Sequence, residues 1–244
     1  RANGLLEMST FLAIILGTSM GTLMFAAWKS SLGTIGYIMM VIAITGTGMS
    51  FWIGRVADPV STKTFNINPW SEVAHGIKRL KEDSRLLLSV AAITYFWFLG
   101  ALLQMAILLL GKEVLLLSDF WIGILITFLA FGIGAGSIIA GRLSGDKIEP
   151  GLVPLGSTGM GIFSIVLALT TSYPVAAFCL MMLGFFGGLF VVPLNALLQK
   201  RSGPAEKGRI IATTNCVGTL SILVASAALW FLRDIIGIPS DTIV

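Results

Sequence analysis

The chain has 244 residues, of which 56% are hydrophobic and only 11% are charged. Soluble domains carry about 25% charged residues, so this composition excludes a water-soluble globular protein and predicts an integral membrane protein. The formal net charge of +4 would also suit a nucleic-acid-binding protein, but the distribution of the charges along the chain indicates another origin.

Seven apolar segments are long enough to span a membrane, since about 20 helical residues cross a hydrocarbon layer of about 30 Å. We expect helices because every backbone polar group in the bilayer needs a partner within its own segment. The fold class predicted is therefore all-α and integral to the membrane. The seven segments are residues 8–28, 34–54, 86–110, 119–141, 152–171, 174–198 and 210–232.

The lysines and arginines predict the orientation of these segments, because cytoplasmic loops are enriched in both. If residue 1 is cytoplasmic and the spans alternate, thirteen of the sixteen cations lie on the cytoplasmic side. Only Lys29, Lys112 and Arg233 lie on the other side, together with residue 244. Membrane topology therefore explains the positive charge, and a nucleic-acid partner is not needed.

The hydrophilic linker at residues 55–85 contains a predicted amphipathic helix over 69–83. Asn68 can cap this helix, and Pro69 suits its first turn. We expect it to lie on the inner leaflet, attracted by anionic lipid, although a solvated connector helix remains an alternative. Its apolar face is Trp70, Val73, Ala74, Ile77 and Leu80, and its basic end is Lys78, Arg79 and Lys81.

The segment at 184–203 combines glycines with a proline and two amides. Pro193 removes a helix hydrogen bond and clashes with the carbonyl of Leu189, and Gly188 permits bending or close helix approach. The pattern predicts a helix that bends at Gly188 and Pro193, of the kind that moves against its neighbours in alternating-access transporters. A static structural kink is the alternative.

Other polar residues within the spans are candidates for a substrate path. Buried amides are costly in lipid unless they are paired, so we expect these side chains to face the bundle interior. They either hydrogen-bond between helices or line the path of a solute. The candidates are Thr94, Tyr95, Gln104, Asn195, Gln199 and Asn215.

No catalytic or metal-binding constellation is recognisable in the sequence. Cys179 and Cys216 lie in apolar segments, and the single histidine, His75, lies in the linker, so the spacing suggests neither a disulfide framework nor a metal site. We expect no cofactor and no enzymatic activity. The spans also contain no carboxylate at mid-membrane depth, although a proton-coupled carrier usually needs one. Any coupling to protons would then reside in other helices or be absent.

Three stretches resemble the bacterial lysophospholipid transporter family of the major facilitator superfamily: RANGLLEMSTFLAIILGTSMG (1–21), GRLSGDKIEPGLVPLG (141–156) and GGLFVVPLNALLQKRSG (187–203). The resemblance implies helices five to eleven of a twelve-helix bundle, so the chain is expected to be a section of a longer protein that does not transport by itself. Residues 1–54 would be the last two helices of the N-terminal bundle, 55–85 the linker, and 86–244 the C-terminal bundle without its final helix.

The same resemblance implies a function and a loop signature. It implies inward movement of lysophospholipid across the bacterial inner membrane for re-acylation. GRIIATTN (208–215) is similar to a variant fused to a phospholipid acyltransferase and an acyl-carrier-protein ligase, which would lie outside this chain. Gly141, Asp146 and Lys147 match a degenerate form of the superfamily loop signature. A carrier of another solute, or a membrane anchor for a fused acyltransferase, remain alternatives.

Overall fold

The computed structural model describes residues 31–52, 54, 69–144, 148–203 and 206–237, together with isolated positions between 9 and 29. All regular secondary structure in this described part is helical, as the span lengths and the need to pair backbone groups within the bilayer predicted. Two of the helices end in a π-helical turn, at Leu110–Val114 and Phe231–Ile235. The helices are α1 (Leu32–Ser50), α2 (Pro69–Glu82), α3 (Ser84–Leu109), α4 (Asp119–Ser144), α5 (Leu152–Ala168), α6 (Tyr173–Arg201) and α7 (Lys207–Trp230).

Five of these helices are long and apolar enough to cross a membrane, namely α1, α3, α4, α6 and α7. Helix α5 is also apolar but has only 17 residues. Six of the seven predicted segments therefore contain a helix, and the prediction of an all-α membrane protein is confirmed. The seventh predicted segment, 8–28, lies mostly outside the described residues.

Helix α6 is the centre of the bundle, since 67% of its most apolar window is buried, against 39% for the window of α4. It packs between α4 and α5 and also contacts α3, whereas α7 packs mainly on α3. Leu125 and Leu180 are fully buried at one level of the bundle. Phe190 and Ile210 belong to a second apolar cluster nearer the end that carries α2.

Helices α4 and α6 touch through their backbones along a surface that we call the α4–α6 seam. A Cβ atom added to Gly136 of α4 would meet the carbonyl oxygen of Phe185 on α6. In the reverse direction, a Cβ added to Gly184 would meet the carbonyl oxygen of Leu129. Small residues permit this close approach, which brings van der Waals contact and excludes lipid from between the helices.

Helix α2 occupies the linker and docks on the bundle. Gly76 lies against the Thr213 side chain of α7, and a Cβ added at Gly76 would lie 2.9 Å from the Cβ of Thr213. Leu80 is 2% exposed in the apolar cluster that contains Ile210. The predicted apolar face is therefore divided, because Leu80 is buried and Val73 half-buried, while Trp70, Ala74 and Ile77 are exposed. Asn68, the predicted cap, lies outside the described residues.

At the opposite end of the bundle, the two π-helical turns lie side by side. Arg233 of the α7 turn pairs with Glu113 of the α3 turn at 2.8 Å, and Lys112 pairs with Asp119 at 3.6 Å. A cavity of about 400 Å³ lies beside them, lined mainly by leucine and methionine side chains. These ion pairs tie the ends of α3, α4 and α7 together.

Candidate functional site

Pro193 lies within α6, which runs without interruption from Tyr173 to Arg201. Its side chain is among the most completely buried in the described chain. Because proline has no N–H group, the carbonyl of Leu189 lacks its usual helical donor. Gly188, which the sequence pairs with Pro193 as a bending point, lies in the α4–α6 seam: an added Cβ would lie 2.6 Å from the carbonyl oxygen of Ile133.

Asn195 and Gln199 extend the α4–α6 seam toward the end of the bundle that carries α2. They follow Gly188 by seven and eleven residues, so all three lie on one side of the helix. Both amides are half-buried. On the facing helix, the hydroxyl oxygens of Ser137 and Ser144 are buried without a hydrogen-bond partner in the described part of the chain. The half of the seam nearer α2 is therefore polar, and the half nearer the opposite end of the bundle is apolar.

The predicted loop signature lies at the same end of α4. Gly141 is half-buried, and an added Cβ there would meet nothing within 4 Å among the described atoms. Asp146 and Lys147 lie outside the described residues. Their role as part of a loop signature therefore stays a prediction.

Thr94 lies at the interface between α3 and α7. The hydroxyl of Ser221 donates to the carbonyl oxygens of Thr94 and Gly218, at 3.1 Å and 2.7 Å. Trp97 of α3 packs beside Gly218, since an added Cβ there would lie 3.4 Å from the indole Cδ1 atom. The hydroxyl of Thr94 itself is buried and has no hydrogen-bond partner within the described residues.

Tyr95 and Gln104 are both exposed, but they lie on different sides of α3. They are nine residues apart, which is about two and a half turns of helix, so their side chains lie about 180° apart around the axis. Gln104 follows Trp97 by seven residues and so lies on the side of α3 that faces α7. The structure therefore does not bring Tyr95 and Gln104 to a common lining.

Asn215 is exposed on α7, one turn before the Gly218 contact with Trp97. The hydroxyl of Thr219 donates to the backbone carbonyl oxygen of Asn215 at 2.9 Å. The six candidates thus occupy three regions: the polar half of the seam, the α3–α7 interface, and exposed flanks of α3 and α7. Their assignment to a substrate path stays a prediction.

Three ion pairs at the end that carries α2 were not predicted from the sequence. Each joins the segment containing α2 and the start of α3 to the ends of α6 and α7. The sequence did hold a signal, because acidic residues accompany the cations on the same predicted side of the membrane. The pairs are Arg209 with Glu72 at 2.8 Å, Arg79 with Glu206 at 2.8 Å, and Arg201 with Asp83 at 2.7 Å.

Asp83 forms the ion pair with Arg201 and also caps the beginning of α3. Its carboxylate accepts from the backbone N–H groups of Arg85 and Leu86, at 3.0 Å and 3.3 Å. The hydrogen bond from Arg201 is the main reason why the pKa of Asp83 lies below its usual value, and the two backbone donors act in the same direction. The pKa of Arg79 is raised, chiefly by its hydrogen bond to Glu206.

Charged residues in the described spans lie only in the terminal turns of the helices. The interior of the described bundle carries amide and hydroxyl groups, so it is suited to hydrogen bonding without a fixed charge. Within the described chain, no group of three or more histidine, cysteine or acidic residues could hold a metal ion.

Comparison with known proteins places this arrangement in a family. Residues 1–226 match the Major Facilitator Superfamily. The lysophospholipid transporter LplT of Yersinia pestis is 30% identical over 242 residues, which cover 98% of this chain and 58% of that protein. LplT of Yersinia pseudotuberculosis matches over the same shares at the same identity. The chain thus spans 58% of the length of these relatives.

None of the solved structures matches the chain significantly. The family match covers nearly all the helices described above, from α1 to most of α7. The helical bundle is therefore part of a larger transporter fold, and the chain belongs to the major facilitator superfamily.

Proposed function

We propose that the chain is part of a transporter that moves lysophospholipids inward across the bacterial inner membrane, where they are re-acylated. The observation that carries this proposal is the 30% identity to lysophospholipid transporters over 98% of the chain. Because the chain spans only part of those relatives, the proposal concerns the whole protein. Acyl transfer would belong to a fused or separate acyltransferase outside this chain.

The chemistry of the spans supports an amphipathic, zwitterionic solute. Fixed charges are confined to the helix ends in the described chain. The half-buried amide Asn195 lies more than one turn before the terminal cations of α6, and the half-buried Gln199 borders them. Amide groups both donate and accept hydrogen bonds, so they can solvate both a phosphate and an ammonium group. A path lined this way would not hold either charge of the headgroup too tightly for release.

Movement of α6, together with the helices α4 and α5 that it holds, against α3 and α7 would open and close the path. Helical transporters alternate access by shifting one group of helices against another around a central site. Pro193 weakens the hydrogen-bond ladder of α6 beside the polar half of the α4–α6 seam. In this proposal, bending there exposes Asn195 and Gln199 to the headgroup.

The proposed orientation places α2 and its ion pairs in the cytoplasm. The described helix ends on that side carry most of the cations, including Arg85, Arg142, Lys200 and Lys207. Such an excess marks the cytoplasmic side of bacterial inner-membrane proteins. Lysophospholipid would then be released beside the linker helix.

The test is uptake of labelled lysophosphatidylethanolamine by spheroplasts that express the full-length protein, with any fused acyltransferase inactivated. We expect saturable uptake, reduced several-fold by Gln104→Ala and by Asn195→Ala at normal membrane levels. Thr158→Ala is the matched control, because Thr158 is an exposed polar residue on α5, a helix that contributes no candidate.

Uptake no better than that of empty cells would reject the lipid substrate. The remaining candidates would then be another small solute or a membrane-anchoring role for a fused acyltransferase. Normal uptake in both amide variants would support the transport function but show that Gln104 and Asn195 do not contribute to the substrate path.

A further inference from the structure

Helix α2 carries a second apolar surface, which is exposed in the described part of the chain. We call it the Trp70 stripe; it consists of Trp70, Ala74 and Ile77, which share one side of the helix because they are spaced four and three residues apart. Trp70 is 65% exposed and Ile77 is 37% exposed. The docked side of α2 is a different one, formed by Gly76 and Leu80.

The ion pairs fix the direction in which the Trp70 stripe points. Arg79 lies nine residues after Trp70, and so about 180° around the helix from it. Its guanidinium group reaches Glu206, the residue just before α7 begins. The Arg79 side of α2 therefore faces the membrane-distal end of α7. The Trp70 stripe faces the opposite way, along α7 toward the hydrocarbon.

The surface of α7 on that side is also apolar and exposed. Leu220 and Val224 follow Thr213 by seven and eleven residues, so they lie on the face of α7 that α2 crosses. They are 44% and 59% exposed, and they lie about 10 Å and 16 Å further along the helix. The Trp70 stripe and this face of α7 thus meet at an angle and form one concave apolar surface.

The arginines and the lysines around the stripe differ in whether they form ion pairs. The arginines Arg79, Arg201 and Arg209 are paired with carboxylates of the bundle or of α2. Lys78 and Lys81 are exposed and have no ion pair within the described chain. Lys81 lies at the end of the Trp70 stripe and Lys78 at its edge, positions from which long side chains reach the lipid headgroups.

We propose that α2 buries the Trp70 stripe at the boundary between headgroups and acyl chains of the anionic leaflet on its own side. Lys78 and Lys81 contact lipid phosphates, and the arginine pairs hold the helix on the bundle. An apolar stripe flanked by lysines is the pattern of an interfacial helix. The inference does not depend on which solute the transporter carries.

The test compares two neighbouring positions in the full-length protein, after Cys179 and Cys216 are replaced by alanine. A nitroxide label is attached at Ala74→Cys, on the stripe, or at His75→Cys, whose side chain is exposed on another side of the helix. The protein is placed in vesicles of phosphatidylethanolamine and phosphatidylglycerol. Electron paramagnetic resonance then measures collision with oxygen and with a water-soluble nickel chelate.

We expect the label at 74 to collide mainly with oxygen and the label at 75 mainly with nickel. Equal nickel access at both positions would overturn the proposal, because the helix would then be solvated. Shielding of position 74 from both reagents would also overturn it, because protein would then cover the stripe.

A second comparison isolates the lysines. Lys78→Gln together with Lys81→Gln is expected to lower the ratio of oxygen to nickel collision at position 74 in the phosphatidylglycerol vesicles. No effect is expected in vesicles of phosphatidylcholine alone. An equal effect in both kinds of vesicle would contradict contact with anionic lipid.

Discussion

At Gly136 a single methyl group has no room. An alanine there would push its Cβ atom onto the carbonyl oxygen of Phe185, and neither backbone can yield without separating the α4–α6 seam. Overpacking of this kind typically costs about 1–3 kcal/mol. We expect Gly136→Ala to lower the thermal unfolding temperature of the detergent-solubilised protein.

Gly161→Ala is the matched control, because Gly161 lies in α5 and an added Cβ there would meet nothing within 4 Å. Alanine also favours a helix over glycine by about 1 kcal/mol. We therefore expect no loss of stability in the control. An unchanged unfolding temperature in Gly136→Ala would mean that the seam is looser than described, and equal destabilisation by both substitutions would mean that the loss does not come from the seam.

Asp83 makes the junction of α2, α3 and α6 sensitive to acid. Its pKa is lowered in the folded protein, mainly by Arg201. Its contribution to stability is therefore complete above its unfolded pKa of about 3.9. That contribution is lost as the pH falls through the lower folded pKa. We expect Asp83→Asn to be less stable than the wild type near neutral pH and to lose less stability on acidification.

The measurement is the thermal unfolding temperature of both proteins between about pH 7 and pH 3. Asparagine still accepts the capping hydrogen bonds, so the comparison isolates the ion pair. Glu149→Gln is the control, since Glu149 is exposed and forms no ion pair within the described chain. Parallel pH curves for wild type and Asp83→Asn would contradict the assigned role.

Sequence reasoning identified polar residues in the spans but not their neighbours. The types of Tyr95 and Gln104 marked them as unusual in lipid, and their nine-residue spacing places them on opposite sides of α3. Which of these two sides faces α7 depends on how the helices pack. The contact of Ser221 with the Thr94 carbonyl joins residues 127 positions apart. Such a pairing depends on helix packing, which the order of residues along one helix does not encode.

At the scale of one helix, Pro193 offers a test of whether α6 bends during transport. Pro193→Ala restores a backbone donor for the carbonyl of Leu189 and so stiffens the helix. We expect a several-fold lower initial rate of lysophosphatidylethanolamine uptake at an unchanged membrane level. Initial rates in spheroplasts give the measurement. An unchanged rate would favour a static kink.

Pro174→Ala is the control for this experiment. Pro174 lies at the beginning of α6, where the missing N–H group would have no helical acceptor in any case. Its replacement is therefore expected to leave the uptake rate close to that of the wild type. A similar loss of rate in both variants would point to general destabilisation of α6.

The attachment of α2 can be tested by exchanging charges. Arg209→Glu places a carboxylate opposite Glu72 and is expected to loosen α2, whereas adding Glu72→Arg restores an ion pair. A partly exposed pair contributes about 0.2–1 kcal/mol, so the effect should be local. Hydrogen exchange of the α2 amides is the measurement: faster in the single variant and near normal in the double. Unchanged exchange in the single variant would show that the pair does not hold the helix.

The position and apolar spacing of α2 could be predicted, but its docked side could not. The periodicity counted Trp70, Ala74 and Ile77 as one face together with Leu80. The docked side instead depends on Gly76, which has no side chain and therefore adds nothing to an apolar pattern. Its fit against Thr213 is a property of two surfaces. The long spans were predictable because twenty apolar residues in a row admit few other structures.

At the scale of the whole molecule, the helices are unequally covered. Within the described chain α1 has no buried residue, whereas α6 is largely enclosed. The helices from α3 to α7 form two groups, because α6 holds α4 and α5 while α7 packs mainly on α3. Cross-links within a group should therefore be tolerated during transport, and those between groups should slow it.

This last prediction can be tested with cysteine pairs in a protein that otherwise lacks cysteine. Phe163 and Phe178 lie in ring contact across α5 and α6, within one group, and Thr94 and Ser221 join α3 to α7 in the other. Phe96 and Phe190 lie in contact between the groups. We expect oxidative cross-linking to reduce uptake only for the third pair. Equal inhibition by all three would contradict this division.

The contact of backbones along the α4–α6 seam has a mechanical consequence. Two helices in contact along their length bend readily out of the plane that contains both axes and very little within that plane. A hinge at Pro193 must therefore swing α6 out of the plane that contains the axes of α4 and α6, or else open the seam. Any rocking of this bundle is thereby restricted to one direction by glycines that carry no side chain, among them Gly136, Gly184 and Gly188.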